Sequence, residues 1–168
     1  MLELRPARPA DASLILALVR ELAEYEREPE AVKATEQDIL RDGFGSEPRF
    51  QCVIAEWGGE AAGFALFFYN YSTCEGRAGL YLEDLYVRPP FRKRGIGKAL
   101  FRHLAKRAVD ENLSRLVWQV LDWNRPAIEF YELIGARHAS DWMTMRLTGE
   151  ALKRTADQGG ASRPKSFT

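Results

Sequence analysis

The segment that most restricts the fold of this chain is an apolar strand followed by a glycine-rich basic turn and an amphipathic run. The strand "AGLYLEDLYV" is closed by Pro89-Pro90, the turn reads "RKRGIGKAL", and the helical pattern extends from about Gly95 to Glu111. Glycine lets the backbone approach a ligand closely, and the free N–H groups of a first helical turn attract an anion. The turn therefore predicts a pyrophosphate site, the alternative being a glycine turn with a solvated basic face.

Two nucleotide-binding motifs fail within this turn. A P-loop requires glycine where Arg92 stands and a hydroxyl residue where Ala99 stands, and a dinucleotide fingerprint requires a third glycine where Leu100 stands. A nucleic-acid surface would carry exposed aromatic residues among the basic ones, whereas helical spacing assigns Phe101 to the core. Because the 24 basic residues are balanced by 24 acidic residues, we expect no nucleic-acid partner.

The rest of the pattern predicts one α/β domain. A strand at "LELRPAR", two helices capped by Asp11 and Thr35, and two strands around a Gly58-Gly59 turn precede the glycine-rich segment. A strand "RLVWQVL", a helix "PAIEFYELIG" and a last strand "WMTMRL" follow it. We expect residues 1–150 to form the domain and residues 151–168 to form a polar, loosely held extension.

The chain shows no signal-peptide pattern, and no run approaches the roughly 20 apolar residues that a membrane span needs. We therefore expect a cytoplasmic protein without membrane contact. Neither Cys52 and Cys74 nor His103 and His138 have the spacing of a metal site, so no metal is predicted.

Charge is distributed unevenly along the chain. Eight carboxylates and three basic residues lie between Glu21 and Asp42, whereas eight basic residues and no carboxylate lie between Arg88 and Arg107. Such a chain can bind a cation at one place and an anion at another, or it can simply have two solvated faces.

Taken in order, these segments resemble a known family. "LYLEDLYV", "RPPFRKRGIGKAL" and "NRPAIEFYELIGA" resemble the acetyl-CoA-binding core of the GNAT acyltransferases, whose Q/R-x-x-G-x-G/A pattern is matched by Arg92, Gly95 and Gly97. Over roughly residues 3 to 150 the chain is similar to the spermidine/spermine (diamine) N-acetyltransferase branch, including its thialysine-acetylating members. The resemblance implies a mixed, mostly antiparallel sheet flanked by helices and splayed at a cofactor cleft, and it implies a homodimer.

The resemblance also implies acetyl-CoA as the donor and assigns its binding residues. The backbone of Leu85, Tyr86 and Val87 would run beside the pantetheine arm and polarise the thioester carbonyl. Asn124 and Ala127 match positions that line the pantetheine. The residues that would hold the pyrophosphate are those of the basic turn: Arg92, Lys93, Arg94, Gly95, Ile96, Gly97 and Lys98.

Acetyl transfer requires a neutral amine, although a free primary amine has a pKa of about 10.4. Alternation in "LYLEDLYV" predicts two faces, with Tyr81, Glu83, Leu85 and Val87 on one and Leu80, Leu82, Asp84 and Tyr86 on the other. A carboxylate among apolar neighbours is costly unless it is paired or functional. Glu83 is therefore predicted to bind the substrate ammonium and to act as base, directly or through water, or else to form an internal salt bridge. Asp84 is a second, weaker candidate for this role, and a structural role is favoured for it.

Three further residues have roles implied by the resemblance. Tyr131 in "FYELIG" has the pattern of an amphipathic core residue, but it matches the family's general acid, which protonates the departing thiolate. Tyr25 and Glu26 match substrate-binding positions, and the carboxylates around them can hold and steer a polyamine. Animal polyamine enzymes tend to have lysine where this chain has Glu24, so diamine, polyamine and thialysine-like acceptors all stay open.

The predicted reaction is direct transfer in a ternary complex to a small cationic amine, because no cysteine is placed to carry the acetyl group. An acetyltransferase for protein N-termini or lysines is a second interpretation, and it would require an open substrate groove. A non-catalytic CoA-binding regulatory module is a third, and loss of catalytic groups would be its signature. Glu83 and Tyr131 are both present, which disfavours that module.

Overall fold

The computed structural model describes residues 1–157, whose five strands form one sheet in the order β1-β2-β3-β4-β5. The first four strands are antiparallel to their neighbours, and β5 is parallel to β4. The predicted mixed, mostly antiparallel sheet is confirmed. The strands are β1 Leu2–Pro6, β2 Gln51–Trp57, β3 Glu60–Ser72, β4 Arg77–Val87 and β5 Leu116–Trp118.

Residues 1–157 contain five α-helices: α1 Ala12–Tyr25, α2 Glu36–Phe44, α3 Ile96–Asp110, α4 Arg125–Leu133 and α5 Gly149–Asp157. Across residues 1–157, every helix is too short or too polar to cross a bilayer.

The predicted cap of α2 is confirmed, whereas that of α1 is wrong. The Thr35 hydroxyl accepts a hydrogen bond from the Asp38 N–H at 3.2 Å, and the Asp38 carboxylate accepts one from the Thr35 N–H at 2.8 Å. The Asp11 side chain caps no N–H of α1. Its carboxylate accepts instead from the Arg5 guanidinium and the Arg8 N–H, and the charged guanidinium offers it a stronger hydrogen bond than a helix amide would.

The chain divides into two compact units, one spanning Met1–Asn124 and the other beginning at Arg125. The first unit contains the sheet and α1 to α3. Its core on the α1 face includes Ile15 and Leu18 of the helix with Phe64 and Leu66 of β3. On the opposite face, Phe101 of α3 packs edge-on against Trp118 of β5, with ring centroids 4.9 Å apart.

The second unit contains α4 and α5. Gly135, with φ of 92°, follows α4 and donates its N–H to the Glu132 carbonyl, so the predicted helix end is confirmed. The predicted last strand at residues 142–147 is wrong. Within the described part of the chain no strand pairs with it, and Trp142, Met143 and Met145 are each more than 80% exposed. Alternating residue types do not make a strand unless another strand edge pairs with the backbone. The predicted extension begins with α5, and its remainder, 158–168, lies outside the described residues.

β5 is much shorter than the seven-residue strand predicted from "RLVWQVL". Its three residues pair with Leu80–Leu82 of β4. Within residues 1–157, the rest of β4, from Glu83 to Val87, therefore has no strand partner on the β5 side. β4 thus extends beyond its pairing with β5 on the side that leads into the glycine-rich turn.

Candidate active site

β4 carries one extra residue at Glu83. Leu66 of β3 pairs with Asp84, whereas the next residue, Phe67, pairs with Leu82, so Glu83 lies opposite no residue of β3. Paired residues project to the same face of a sheet. Asp84 therefore shares the α1 face with Leu66, while Leu82 shares the α3 face with Phe67. The predicted grouping of Leu82 with Asp84 is wrong because the bulge shifts the alternation by one residue.

The α1 face of this bulge opens into a cavity of about 390 Å³. Its walls come from the second half of α1, from the segment 31–34 and from β4. The apolar part of the lining includes Val19 and Leu22. Among the described lining residues, Glu26, Glu83 and Asp84 are carboxylates and Lys33 is a cation.

The three carboxylates of the cavity affect one another. Burial is the largest cause that raises the pKa of Asp84, to about 7, and the negative charges of Glu83 and Glu26 raise it further. Burial also raises the pKa of Glu26, with smaller contributions from Glu28 and Glu83. The ion pairs among the described residues include none of the three. The cavity is therefore electrostatically suited to bind a cation.

Most of the acidic segment does not face this cavity. Of the eight carboxylates between Glu21 and Asp42, only Glu26 lines it. Glu21 pairs with Arg88 at 2.8 Å, and Asp42 pairs with Arg41 at 2.7 Å. The interpretation of the segment as one row of substrate-holding carboxylates is wrong for these paired residues, because an arginine already neutralises each of them.

The glycine-rich turn places the start of α3 directly against the unpaired end of β4. Gly95 is the N-cap residue of α3, has φ of 77° and provides no side-chain cap, and a Cβ added there would meet nothing within 4 Å. A Cβ at Gly97 would lie 3.9 Å from the Leu85 side chain and 4.0 Å from that of Val87. The N–H groups of the first turn of α3 therefore lie beside β4 without a capping side chain.

The basic residues of the turn fall into two groups. Lys93, Arg94 and Lys98 are exposed, and none forms an ion pair with a described residue; the Arg94 guanidinium lies 5.0 Å from the centre of the Trp57 ring. Arg92 instead folds back, because its Nε donates to the Val87 carbonyl at 2.9 Å. The structure thus leaves three of the four predicted pyrophosphate cations available to an anion.

Arg92 also connects the turn to the end of α1. Its guanidinium lies 5.0 Å from the centre of the Tyr25 ring and 5.6 Å from that of Tyr86. The Tyr25 hydroxyl donates to Asn124 Oδ1 at 3.4 Å, and its ring lies 6.3 Å from that of Trp123. Residues predicted to contact the acceptor, the pantetheine and the pyrophosphate are therefore in one continuous set of contacts.

The two remaining predicted site residues, Ala127 and Tyr131, lie in the second unit. Both are half-buried residues of α4 and are four positions apart, so they lie on the same side of the helix. The Tyr131 ring lies 5.6 Å from that of Phe130.

Sequence reasoning gave too little weight to two charged residues that line the cavity, Asp84 and Lys33. It ranked Asp84 behind Glu83 and favoured a structural role for it, and nothing in the residue types indicates the bulge. It gave Lys33 no role, although a basic residue within a mostly acidic segment is a signal that could have been used.

Cysteine chemistry does not belong to this site. Cys52 is buried in β2, and burial is the main cause that raises its pKa to about 12, so its thiol stays protonated at neutral pH. Cys74 lies exposed in the turn between β3 and β4. Among residues 1–157, no group of three or more His, Cys, Asp or Glu side chains is arranged to hold a metal ion.

Comparison with known proteins agrees with this arrangement. Residues 15–136 match the model of the acetyltransferase (GNAT) family. The chain belongs to the GNAT family of acetyltransferases. It is 39% identical over 164 residues to the thialysine N-epsilon-acetyltransferase of Sus scrofa, an alignment that covers 91% of this chain and 96% of that protein. It is 34% identical over 160 residues to the human spermidine/spermine N(1)-acetyltransferase-like protein 1, covering 89% of this chain and 23% of that longer protein.

Solved structures give the same fold. An integron cassette protein from the mobile metagenome of V. cholerae superimposes with a TM-score of 0.79 at 26% identity, covering 94% of this chain and 98% of that chain. The predicted GNAT fold, and the predicted likeness to the branch that acetylates diamines and thialysine, are confirmed. Acetyl transfer is the chemistry of this family.

Proposed function

We propose that this GNAT acetyltransferase moves the acetyl group of acetyl-CoA to a primary amine of a small cationic acceptor, in a direct ternary complex. One relationship carries the proposal. Glu83 and Asp84, which line the carboxylate cavity, are followed on the same strand by Leu85 and Val87, which contact the start of α3. The part of β4 that lines the cation-binding cavity and the part that lies beside the anion-binding start of α3 are therefore only a few residues apart.

The donor side suits coenzyme A. Acetyl-CoA, when bound, supplies a thioester carbonyl that an amine can attack. The uncapped N–H groups at the start of α3, together with Lys93, Arg94 and Lys98, would bind its pyrophosphate. The backbone N–H groups from Leu85 to Val87 would polarise the carbonyl and stabilise the negative charge that develops on its oxygen. Asn124 and Ala127 would line the pantetheine.

The acceptor side uses the carboxylates. Glu83 and Glu26 would hold the ammonium group, and Tyr25, which precedes Glu26 in the chain, would contact the acceptor as the family resemblance implies. Because an ammonium cannot attack a carbonyl, one carboxylate of the cavity must also accept a proton. Sequence reasoning gives this role to Glu83. Tyr131, whose role follows from the family resemblance, would donate a proton to the departing thiolate.

Lys33 bears on the identity of the acceptor. A polyamine or diamine brings two or more ammonium groups, and Lys33 would repel the one farther from the acetylated end. When the side-chain amine of an amino acid is acetylated, the other end of the molecule carries one ammonium and one carboxylate. Lys33 would attract that carboxylate. The cavity therefore favours an acceptor of the thialysine type over a polyamine, and thialysine is the substrate in the name of the Sus scrofa relative.

A cytoplasmic homodimer remains part of the proposal. The exposed aromatic and thioether side chains of residues 142–147 in the second unit, Trp142, Met143 and Met145, support a protein-covered surface there. Light scattering coupled to gel filtration tests it, and a monomer mass at micromolar concentration would contradict it.

The function is tested by steady-state release of CoA from acetyl-CoA with a panel of amines. The panel contains thialysine, lysine, ornithine, putrescine, spermidine, spermine and a basic peptide. Turnover of one or more small amines is expected. If CoA is released with none of the amines, the chain is not an amine acetyltransferase. That result would favour the non-catalytic CoA-binding module. A clear preference for the peptide would replace the small-amine acceptor with a protein substrate.

A further inference from the structure

We propose that Asp84, rather than Glu83, accepts the proton that the acceptor ammonium loses before it attacks the thioester. This inference rests on the proposed function, because it names the base for that reaction. Its first support is the bulge. Without the extra residue, Asp84 would share the α3 face with Leu82; with it, the carboxylate lines the cavity on the α1 face.

The two adjacent carboxylates have different surroundings. Asp84 shares its face with Leu66 and Tyr86, which are 8% and 7% exposed, and is itself only partly accessible. Glu83 is exposed. Burial removes the water that would stabilise an ionised carboxylate. The less exposed of the two carboxylates therefore gains a proton more readily. Asp84 is therefore the cavity carboxylate best suited to gain a proton.

The charged and titratable groups facing Asp84 come from four elements. Glu83 lies beside it on β4, Glu26 follows α1, Lys33 lies in the segment 31–34, and Cys52 lies on β2. Burial, followed by Glu83 and Glu26, raises the pKa of Asp84 to about 7. A general base is most effective when its pKa lies near the working pH, whereas an ordinary aspartate, at about 3.9, is a weak base for an ammonium.

The proton transfer is balanced within the cavity. One N–H bond of the ammonium breaks with its electron pair left on nitrogen, and one O–H bond forms on the Asp84 carboxylate. A cation and an anion become a neutral amine and a neutral carboxylic acid. Glu83 and Glu26 hold the acceptor in place. Asp84 returns its proton to water before the next turnover.

The test is the pH dependence of kcat/KM for the best amine acceptor, measured for the wild type and for Asp84→Asn, Glu83→Gln and Glu26→Gln. In the wild type we expect kcat/KM to rise with an inflection near pH 7, well below that of the free amine at about 10.4. Asp84→Asn should remove this inflection and lower kcat by roughly 100-fold or more. Asp110→Asn, at an exposed aspartate paired with Lys106 on α3, is the matched control and should behave as the wild type.

Glu83→Gln and Glu26→Gln should retain the inflection but move it to lower pH, because each removes a negative charge that disfavours ionised Asp84. If the inflection is lost in Glu83→Gln and kept in Asp84→Asn, Glu83 is the base and the proposal is wrong. If Asp84→Asn does not fold, the two glutamine variants decide: an unmoved inflection in both would overturn the proposal. A wild type that turns over no amine would instead overturn the proposed function itself.

Discussion

The guanidinium of Arg92 lies 5.0 Å from the centre of the Tyr25 ring, while its Nε donates to the Val87 carbonyl. A residue of the glycine-rich turn thereby contacts both the end of β4 and the last residue of α1. The two halves of the proposed site are connected through one side chain, so a change there should be felt on both sides.

Arg92→Lys should raise the KM for acetyl-CoA and the KM for the amine together, each by roughly 10-fold. Lysine keeps the charge but cannot both donate to the Val87 carbonyl and stack on the ring, and these contacts are each worth about 1 kcal/mol. Arg94→Lys, in the same turn and over the Trp57 ring, is the control and should affect the acetyl-CoA side alone. Initial-rate kinetics with both substrates varied would measure this, and an unchanged amine KM in Arg92→Lys would refute the connection.

Gly95→Ala should raise the KM for acetyl-CoA because alanine is strained at φ of 77°, which displaces the start of α3. The chain offers a matched control in Gly76, at φ of 63° in the turn before β4, where a Cβ also meets nothing within 4 Å. Both variants should lose about 1 kcal/mol of unfolding free energy. Only Gly95→Ala should weaken acetyl-CoA binding, as measured by calorimetry; equal weakening in both would indicate a general stability effect.

Tyr131→Phe should lower kcat by about 100-fold and leave acetyl-CoA affinity nearly unchanged, since it removes one proton donor and no packing volume. Tyr71→Phe, at a 62% exposed tyrosine of β3, is the control for the loss of a phenol. Single-turnover rates at saturating amine would separate chemistry from product release. Unchanged turnover in Tyr131→Phe would remove this residue from the mechanism.

Lys33→Gln should reduce the preference for amino acids over the corresponding diamines. The informative pairs are lysine with cadaverine and ornithine with putrescine, because each pair differs only in the carboxylate that Lys33 would attract. We expect the kcat/KM ratio within each pair to fall by about 2- to 5-fold, the range of an exposed charge contact. Lys153→Gln, on α5, should leave the ratios unaltered. A wild type that uses the diamines equally well would already exclude the carboxylate contact.

Asp84→Asn should stabilise the protein at pH 8 and have little effect at pH 4. The pKa of Asp84 is raised to about 7 in the folded state and is about 3.9 in the unfolded chain. Its ionisation therefore opposes folding increasingly between those values and fully above pH 7, by up to about 4 kcal/mol. Asp11→Asn should show the opposite sign, because Arg5 holds the pKa of Asp11 below its ordinary value and its contribution is present above about pH 4. Urea unfolding at both pH values would measure the two differences, and an Asp84→Asn effect independent of pH would contradict the assignment.

Much of the fold follows from local patterns. The Gly58-Gly59 turn, the Thr35 cap and the glycine that precedes α3 are each specified by a few neighbouring residues, and all three were predictable. The short β5 and the missing strand at residues 142–147 were not, because strand pairing depends on backbone partners distant in sequence. The same holds for the site: Glu83 could be found from its residue type among apolar neighbours, whereas the role of Asp84 depends on a register shift against β3.

The bulge at Glu83 has a consequence for how acceptor preference can change. Leu82 and Asp84, on either side of it, belong to opposite packed faces, whereas Glu83 pairs with no residue of β3. Substitutions at position 83 therefore need not be compensated by repacking on either face. Related chains could differ in acceptor through position 83, and a designer could change the acceptor there, while the sheet beside the proposed coenzyme A site stays intact.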